Sequence, residues 1–347
     1  MLRTSSAIRP RSSRVDHTLE TVYVASRDAS TTIDIARADA APARRPRLMR
    51  RPTIAVGGRV ALVSPAGPLR GEADLQHAQE NVRSLGWVPV VGAHALSRAG
   101  YLAGTDGDRL ADLNLALTDD AIDAVWCARG GYGAMRILDQ IDYAALRRRP
   151  KPVIGYSDVT ALHAAMGRRC EVVTFHGPTA RASLTPFSRA SLERALAGGD
   201  SCGAATNATT LHAGRARGRL VGGNLALLCA LAGTPYAPDY RDALLFLEDV
   251  NESVYRIDRM LTQLRLAGTL AACRGLVFGQ FTDVPTDSPE ESLGARTLDD
   301  VLGEVAAATN IPCIAGAPIG HVGDQWTLPV GATAELDADA RVLRILE

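Results

Sequence analysis

A serine stands where a short apolar run gives way to an expected helix. Residues 151–155 predict a strand, Asp158–Met166 predicts a helix, and Gly155-Tyr156-Ser157 lies at the junction. A strand–turn–helix junction can lift a hydroxyl clear of a sheet and present it as a nucleophile beside helix N–H groups. Val159 replaces the second glycine of the usual Gly-x-Ser-x-Gly pattern. A helix cap formed by Ser157 or Asp158 is the structural alternative.

Such a serine needs a base, and the chain offers several histidines and an acidic pair. Glu248 and Asp249 end the apolar run Leu244–Leu247. At that position they could orient a histidine, bind magnesium, or cap a helix. Of the seven histidines, His176 and His321 are flanked by glycine in expected loops. Spacing alone leaves both open as the base.

A glycine-rich loop, Arg129-Gly130-Gly131-Tyr132-Gly133, follows the expected strand Ala124–Ala128. Glycines after a strand let backbone N–H groups approach a ligand closely, although a tight turn needs them equally. Their spacing differs from the dinucleotide-binding fingerprint. A phosphate-binding loop of the Walker type is excluded as well, because Lys151, the only lysine, lies on an expected strand.

Short apolar strands alternate with helices from residue 58 to about 180, which predicts an α/β domain with a doubly wound parallel sheet. Residues 181–217 have the composition of a connection. Residues 218–347 then predict a β-rich α/β domain. Ligands of such parallel sheets bind beyond the carboxyl ends of the strands, where the glycine loop and Ser157 both fall.

The composition is that of a soluble globular protein, and 347 residues fit two domains. Lys+Arg and Asp+Glu both number 38, so no net charge favours nucleic acid or an anionic membrane. Residues 1–57 carry 11 arginines, five acids and no sustained apolar period, which predicts a disordered extension. The six cysteines form no CxxC pair, so we expect reduced thiols, no zinc site and a cytoplasmic enzyme.

Seven segments together resemble the LD-carboxypeptidase family, the serine peptidases that include muramoyltetrapeptide carboxypeptidases and microcin C self-immunity peptidases. They run in order from about residue 58 to the C-terminus. The segments are Tyr101-Leu-Ala-Gly-Thr, Ala124-Val-Trp-Cys-Ala-Arg-Gly-Gly-Tyr-Gly, Ile154-Gly-Tyr-Ser-Asp, His176-Gly-Pro, Leu220-Val-Gly-Gly-Asn-Leu, Phe246-Leu-Glu-Asp-Val and Ile319-Gly-His.

The resemblance implies a Ser–His–Glu triad without metal or cofactor. By motif, Ser157 is the nucleophile, Glu248 the orienting acid and His321 the base. The implied substrate is a peptidoglycan tetrapeptide, which loses its terminal D-alanine during cell-wall recycling. We further expect the N–H groups of Gly131 and Asp158 to form an oxyanion hole.

Arg129 is expected to bind the substrate's terminal carboxylate, with an ion pair to a structural acid as the alternative. Two other functions remain open at this point. One is a microcin-immunity-type peptidase that cleaves peptidyl or aminoacyl nucleotides, and the other is a non-catalytic ligand-binding α/β protein. A homodimer is compatible with the sequence, which does not determine the oligomeric state.

Overall fold

The computed structural model describes residues 49–285 and 296–346. Within these ranges, apolar segments of three to ten residues form most of the strands. In chain order the strands are β1 (Arg59–Val63), β2 (Val88–Val91), β3 (Ala124–Cys127), β4 (Val153–Gly155), β5 (Thr174–His176), β6 (Gly203–Ala204), β7 (Thr209–His212), β8 (Arg215–Asn224), β9 (Ala243–Val250), β10 (Gly275–Thr282), β11 (Cys313–Ala315), β12 (Leu328–Val330), β13 (Thr333–Asp337) and β14 (Val342–Ile345).

The helices of the described chain pack against these strands, and two 3₁₀ segments, Ala134–Gln140 and Ser157–Val159, lie near the sequence motifs. None of the described helices has the length and apolar character that a membrane span requires. In chain order the helices are α1 (Glu72–Ser84), α2 (Asp106–Thr118), α3 (Tyr143–Arg148), α4 (Thr160–Cys170), α5 (Pro186–Leu196), α6 (Leu225–Leu231), α7 (Val254–Leu266), α8 (Thr269–Ala272) and α9 (Leu298–Thr309).

The first sheet has the order β12-β5-β4-β3-β1-β2, and its five N-terminal strands are parallel. Side chains of α1 bury against one face, and those of α2, α3 and α4 bury against the other. This arrangement confirms the predicted doubly wound fold. The order reverses between β1 and β3, so loops that follow these strands open a crevice at the carboxyl edge. The glycine loop after β3 and Ser157 after β4 both lie at this edge.

The second sheet is mixed and has the order β6-β14-β13-β8-β9-β10-β11-β7. Its centre, β8-β9-β10-β11, is parallel, and antiparallel strands close both sides. The fully apolar stretch Leu244–Leu247 of β9 is buried because the sheet is covered on both faces. The predicted β-rich α/β character of the C-terminal half is confirmed.

One continuous apolar core joins the two sheets. It includes Trp126 and Phe175 of the first sheet together with Phe246 of the second, all completely buried. Strand β12 strengthens the junction, since it follows the second-sheet strand β11 in the chain yet pairs antiparallel with β5, with Leu328 opposite His176. The position of one sheet relative to the other is therefore set by packing and not by a flexible hinge.

The segment 181–217, expected as a connection, contains regular structure. Helix α5 begins at a Thr185 cap, with Pro186 in its first turn, and it buries Leu192 and Leu196 in the shared core. Strands β6, β7 and the start of β8 join the second sheet. The expectation of a loose connection is wrong because its polar residues cap and flank elements that the sequence pattern resolves poorly.

The expected boundary of the N-terminal extension at residue 57 lies too late in the chain. Arg50 bridges to Val172, donating its N–H to Glu171 O (3.1 Å) and accepting from Val173 N (2.9 Å). The Arg51 guanidinium donates to three carbonyls in the last turn of α5 and just after it: Ala195 (3.0 Å), Gly198 (3.2 Å) and Gly199 (2.8 Å). An arginine-rich segment thus lies against the fold through carbonyl acceptors, and residues 1–48 fall outside the described chain.

Two truncations test this boundary. A chain that starts at Met49 should retain the melting temperature of the full protein, whereas one that starts at Gly58 should melt several degrees lower. The reason is the loss of the Arg51 hydrogen bonds, each worth roughly 0.5–1.5 kcal/mol. Differential scanning calorimetry of the two truncations measures the difference. Equal melting temperatures would show that residues 49–57 add no stability.

Candidate active site

Ser157 lies on a sharp turn between β4 and α4. Tyr156 is extended, and Ser157 itself has a left-handed backbone with φ +65°, a conformation that side chains other than glycine rarely adopt. Backbone strain of this kind is typical of a nucleophile held clear of its sheet. The N-terminal residue of α4 has no side-chain cap. The capping alternative for Ser157 and Asp158 is therefore wrong.

The glycine loop packs directly against this turn. A Cβ on Gly130 would lie 2.9 Å from Ser157 Cβ, closer than real Cβ atoms approach, and 3.1 Å from Ser157 Oγ, tighter than most real contacts. Gly131 has φ +106°, and its added Cβ would lie 3.0 Å from Gly67 Cα. Gly67 also donates its N–H to Gly130 O at 2.9 Å. Glycine is thus required at these positions for close approach as well as for the turn.

Asp158 fastens the Ser157 turn to the end of the glycine loop. Its buried carboxylate accepts the N–H of Ala134 at 2.7 Å and is also bonded by the N–H of Gly133. Burial raises the pKa of Asp158 to about 6, while these bonds and the charge of Arg109 act in the opposite direction. The first N–H groups of a helical segment have no partner within it.

Glu248 on β9 and His321 in the loop between β11 and β12 come together. Glu248 is completely buried on β9, and its Oε2 lies 2.9 Å from His321 Nδ1. His321 retains 21% of its side-chain exposure. A carboxylate at Nδ1 fixes the imidazole tautomer with the proton on that nitrogen, which leaves Nε2 able to accept one.

Gly320 explains how this pair reaches hydrogen-bond distance. Its φ is +104°, and a Cβ there would lie 2.6 Å from Glu248 Oε2. Gly279 on the neighbouring strand is equally confined, since its Cβ would lie 2.7 Å from Ile319 O. A side chain at either position would push the His321 loop away from Glu248. The Gly-His dipeptide was visible in the sequence, but its contact with Glu248 was not.

His176 does not share the environment of His321. It is completely buried, neither ring nitrogen has a hydrogen-bond partner within the described part of the chain, and burial lowers its pKa well below the ordinary value. Its ring packs edge-on against Phe246 of β9 (5.1 Å between ring centroids) and Tyr156 (6.0 Å). Tyr156 in turn packs against His321 at 4.8 Å. The structure therefore favours His321 as the base and makes His176 a packing residue.

Asp249, the neighbour of Glu248, holds a polar link between the two sheets. Its Oδ1 accepts from Asn224 Nδ2 at 2.8 Å, and its Oδ2 accepts from Ala226 N at 2.9 Å. Asn224 N donates to Thr160 Oγ1 (3.0 Å) in the first turn of α4. Burial raises the pKa of Asp249 to about 6. Sequence reasoning missed Thr160 and Asn224, because only the folded chain brings them together.

The magnesium alternative for the acidic pair does not fit these contacts. Nitrogen-bound hydrogens occupy Glu248 Oε2 and both Asp249 oxygens, whereas magnesium requires free oxygen ligands. Among residues 49–285 and 296–346, no group of three or more His, Cys, Asp and Glu side chains has the geometry to hold a metal ion.

A pocket of about 300 Å³ brings the candidate residues together. Two larger clefts, of about 420 and 580 Å³, are built around Arg168 and contain neither Ser157 nor His321, so size alone does not identify the site. The lining residues of the smaller pocket are Arg129, Gly130, Gly131, Tyr156, Ser157, Thr179, Arg181, Val250 and His321. Glu248 and Asp158 lie behind this wall.

Arg129 has no ion pair to a structural acid among the contacts of the described residues. Its Nη1 donates to the carbonyl of Pro68 at 2.6 Å. Burial lowers the pKa of Arg129, and the charges of Arg181, Arg70 and Arg98 lower it further, opposed by Asp74. The wall beside Ser157 therefore has an excess of positive charge, the opposite sign to the Glu248 side of the pocket.

The buried His176 predicts a specific pH dependence of stability. Unfolded His176 binds a proton near pH 6.5, whereas the folded chain does not, so stability falls as the pH drops below that value. Replacement by phenylalanine keeps an aromatic ring and removes this titration. The His176→Phe variant should therefore lose less melting temperature than wild type between about pH 8 and about pH 5.

Thermal melting at the two pH values measures this difference. Any loss of stability caused by the larger phenylalanine ring is the same at both pH values and cancels in the comparison. His163, with its pKa lowered to about 4, titrates in the same sense, and Asp158 and Asp249 titrate in the opposite sense; all three remain in both proteins. An identical fall for variant and wild type would mean that His176 is protonated in the folded state.

Sequence comparison matches most of this fold to one family. Residues 60–177 match the LD-carboxypeptidase N-terminal domain, and residues 217–336 match the LD-carboxypeptidase C-terminal domain. A relative from Streptomyces coelicolor is 43% identical over 316 residues, covering 86% of this chain and 96% of its own. The murein tetrapeptide carboxypeptidase of Pseudomonas aeruginosa is 35% identical over 304 residues, covering 82% and 94%.

Solved structures have the same fold. The muramoyltetrapeptide carboxypeptidase of Oxalobacter formigenes aligns with a TM-score of 0.73 at 29% identity, covering 83% of this chain and 97% of its own. The microcin C7 self-immunity protein aligns with a TM-score of 0.78 at 23% identity, covering 87% and 99%; this second likeness concerns the fold alone. Both domains of the family are present, in order and at nearly full length, and the chain therefore belongs to the LD-carboxypeptidase family of peptidases.

Proposed function

We propose that this chain is a serine-type LD-carboxypeptidase that releases terminal D-alanine from peptidoglycan tetrapeptides. The bond cut joins the L-centre of the diamino acid to D-alanine, and the setting is cell-wall recycling in the cytoplasm. The observation that carries the proposal is a single pocket that holds strained Ser157 and the Glu248-oriented His321. The murein tetrapeptide carboxypeptidase of Pseudomonas and the muramoyltetrapeptide carboxypeptidase of Oxalobacter support the substrate class.

The proposed triad divides the reaction into two steps. Ser157 Oγ attacks the scissile carbonyl while His321 Nε2 accepts the hydroxyl proton. His321 then donates this proton to the nitrogen of D-alanine, which leaves, and an acyl-enzyme ester remains on Ser157. A water molecule gives a proton to His321 as it attacks the ester. His321 then returns this proton to Ser157 Oγ as the ester bond breaks, and the peptide acid departs. Glu248 stabilises the imidazolium in both steps.

The developing oxyanion needs donors at the turn. We assign the N–H groups of Gly131 and Asp158, because Gly131 lines the pocket and Asp158 begins the first helical turn after Ser157. One such donor typically contributes roughly 3–4 kcal/mol of barrier reduction. Arg129 contributes a positive charge to the pocket wall on the side proposed for the carboxylate of the leaving residue.

The close packing of Gly130 against Ser157 predicts that a side chain at position 130 lowers turnover. The added methyl group of Gly130→Ala would displace Ser157, and a misplaced nucleophile should lower kcat roughly ten- to hundredfold. The same clash should also cost about 1–3 kcal/mol of stability, as overpacking typically does. Gly303→Ala is the matched control, because Gly303 lies in α9 with open space around its Cβ and should gain about 0.5–1 kcal/mol of stability.

Steady-state turnover and melting of the two glycine variants measure the effect. Turnover by Gly130→Ala within twofold of wild type would contradict the placement of Ser157 as nucleophile.

Mass spectrometry of defined peptides tests the proposed function. The purified protein should convert a tetrapeptide ending in D-alanine to the tripeptide. Ser157→Ala should lose roughly 10⁴-fold or more in turnover with an unchanged melting temperature. Glu248→Gln should also lose most of its turnover, because the neutral amide no longer stabilises the imidazolium.

Pentapeptide and an aminoacyl sulfamoyl adenosine serve as the competing substrates. Tetrapeptide left intact while the nucleotide analogue is cleaved would move the assignment to the microcin-immunity type. Tripeptide formation by Ser157→Ala at the wild-type rate would overturn the serine mechanism.

A further inference from the structure

Arg181 lies in the pocket wall with much of its binding capacity unused. Its backbone N–H donates to Ala128 O at 3.4 Å, which fixes the residue beside the end of β3. The side chain keeps 28% exposure, and Nη1 lies 3.7 Å from Asp74 Oδ2, beyond hydrogen-bond distance. Nε is buried and has no hydrogen-bond partner among the described residues. A buried donor of this kind is costly unless a ligand satisfies it.

Arg129 differs from Arg181 in this respect. One of its terminal nitrogens already donates to the Pro68 carbonyl, which fixes the position of the guanidinium. The Asp74 carboxylate also has a second partner, since its Oδ2 accepts a hydrogen bond from the backbone N–H of Arg70 at 3.0 Å. The long ion pair with Asp74 therefore restrains the Arg181 side chain but leaves other N–H groups of its guanidinium available to a ligand.

The surrounding charge favours an anion at Arg181. Arg181, Arg70 and Arg98 each lie close enough to Arg129 to lower its pKa, and Asp74 acts on it in the opposite direction. A guanidinium fork binds a carboxylate through two parallel N–H bonds, which adds direction to charge attraction. The hydroxyl residue Thr179 lines the same wall and is buried.

We propose that Arg181 is the residue that binds the substrate's C-terminal carboxylate, with Arg129 as a fixed second charge beside it. The inference rests on the proposed carboxypeptidase function and deepens it, because it makes a free terminal carboxylate the feature that selects the substrate. A site built for a carboxylate discriminates strongly against a ligand that leaves its donors unpaired. The protein should therefore reject a tetrapeptide amide.

Kinetics with the tetrapeptide acid and its C-terminal amide test this role. Wild type should prefer the acid roughly a hundredfold or more in kcat/KM. Arg181→Gln should lower kcat/KM for the acid by a similar factor, mainly through KM, and leave the amide within about threefold. Arg181→Lys should fall between the two, because it keeps the charge and loses the fork.

Arg70→Gln is the matched control, since it removes one charge from the same cluster at an exposed position outside the pocket lining. It should change KM for the acid less than about threefold, through screening of an exposed charge. An Arg181→Gln variant that melts like wild type and keeps its preference for the acid would overturn the proposal. Equal losses on acid and amide would do the same, because they would indicate a structural role.

Calorimetric binding to Ser157→Ala separates this inference from the proposed function. Tighter binding of acid than amide, abolished by adding Arg181→Gln, supports the Arg181 site even if wild type cleaves no tetrapeptide. If the protein cleaves the tetrapeptide but its preference for the acid does not depend on Arg181, the proposed function stands and the Arg181 site is wrong. Absence of both cleavage and binding overturns both.

Discussion

The position of one sheet against the other is the constraint on which this site depends. Ser157 follows β4 of the first sheet, whereas Glu248 lies on β9 of the second sheet and His321 lies in the loop that leads from β11 to β12. The shared core and β12 hold the two sheets together, but apolar packing alone does not fix direction at the ångström scale. The Thr160–Asn224–Asp249 link supplies direction, because it joins the helix after the candidate nucleophile to the residue after Glu248. Buried hydrogen bonds of this kind fix one arrangement when every donor has an acceptor.

The local strain at Ser157 is sustained by its neighbours. A left-handed non-glycine residue costs about 1–3 kcal/mol, and the turn persists because the surroundings over-determine it. Gly130 packs closely against Ser157 on one side. The Asp158 carboxylate accepts the N–H of Ala134 and so anchors the same turn. The aromatic contacts of Tyr156 extend this support to His321. The strained turn and the contacts that stabilise it therefore involve the same few residues, and these contacts restrict the orientation of the Ser157 hydroxyl.

Local patterns allowed the sequence to predict the elements but not their mutual placement. The junction at Ser157 and the acids ending β9 are visible because apolar runs and glycine act over a few residues. The Glu248–His321 contact spans 73 positions, and only family resemblance indicated it. Asn224 and Arg181 gave no local signal, since their roles come from the packing of the two sheets and from charges on separate loops. The arginine-rich segment at 50–51 was misjudged for a related reason: its carbonyl partners lie far along the chain.

The opposite charges of the pocket give the proposed substrate a direction. Negative charge is buried behind His321, and positive charge collects around Arg129 and Arg181. A peptide whose carboxylate lies at the arginines extends toward His321, and the carbonyl one residue inward lies about 4 Å further along the chain. Both ends of this span belong to one pocket of about 300 Å³, the lower end of the range for ligand sites. A pocket of that size has room for one small leaving residue, which agrees with the proposed removal of a single C-terminal amino acid.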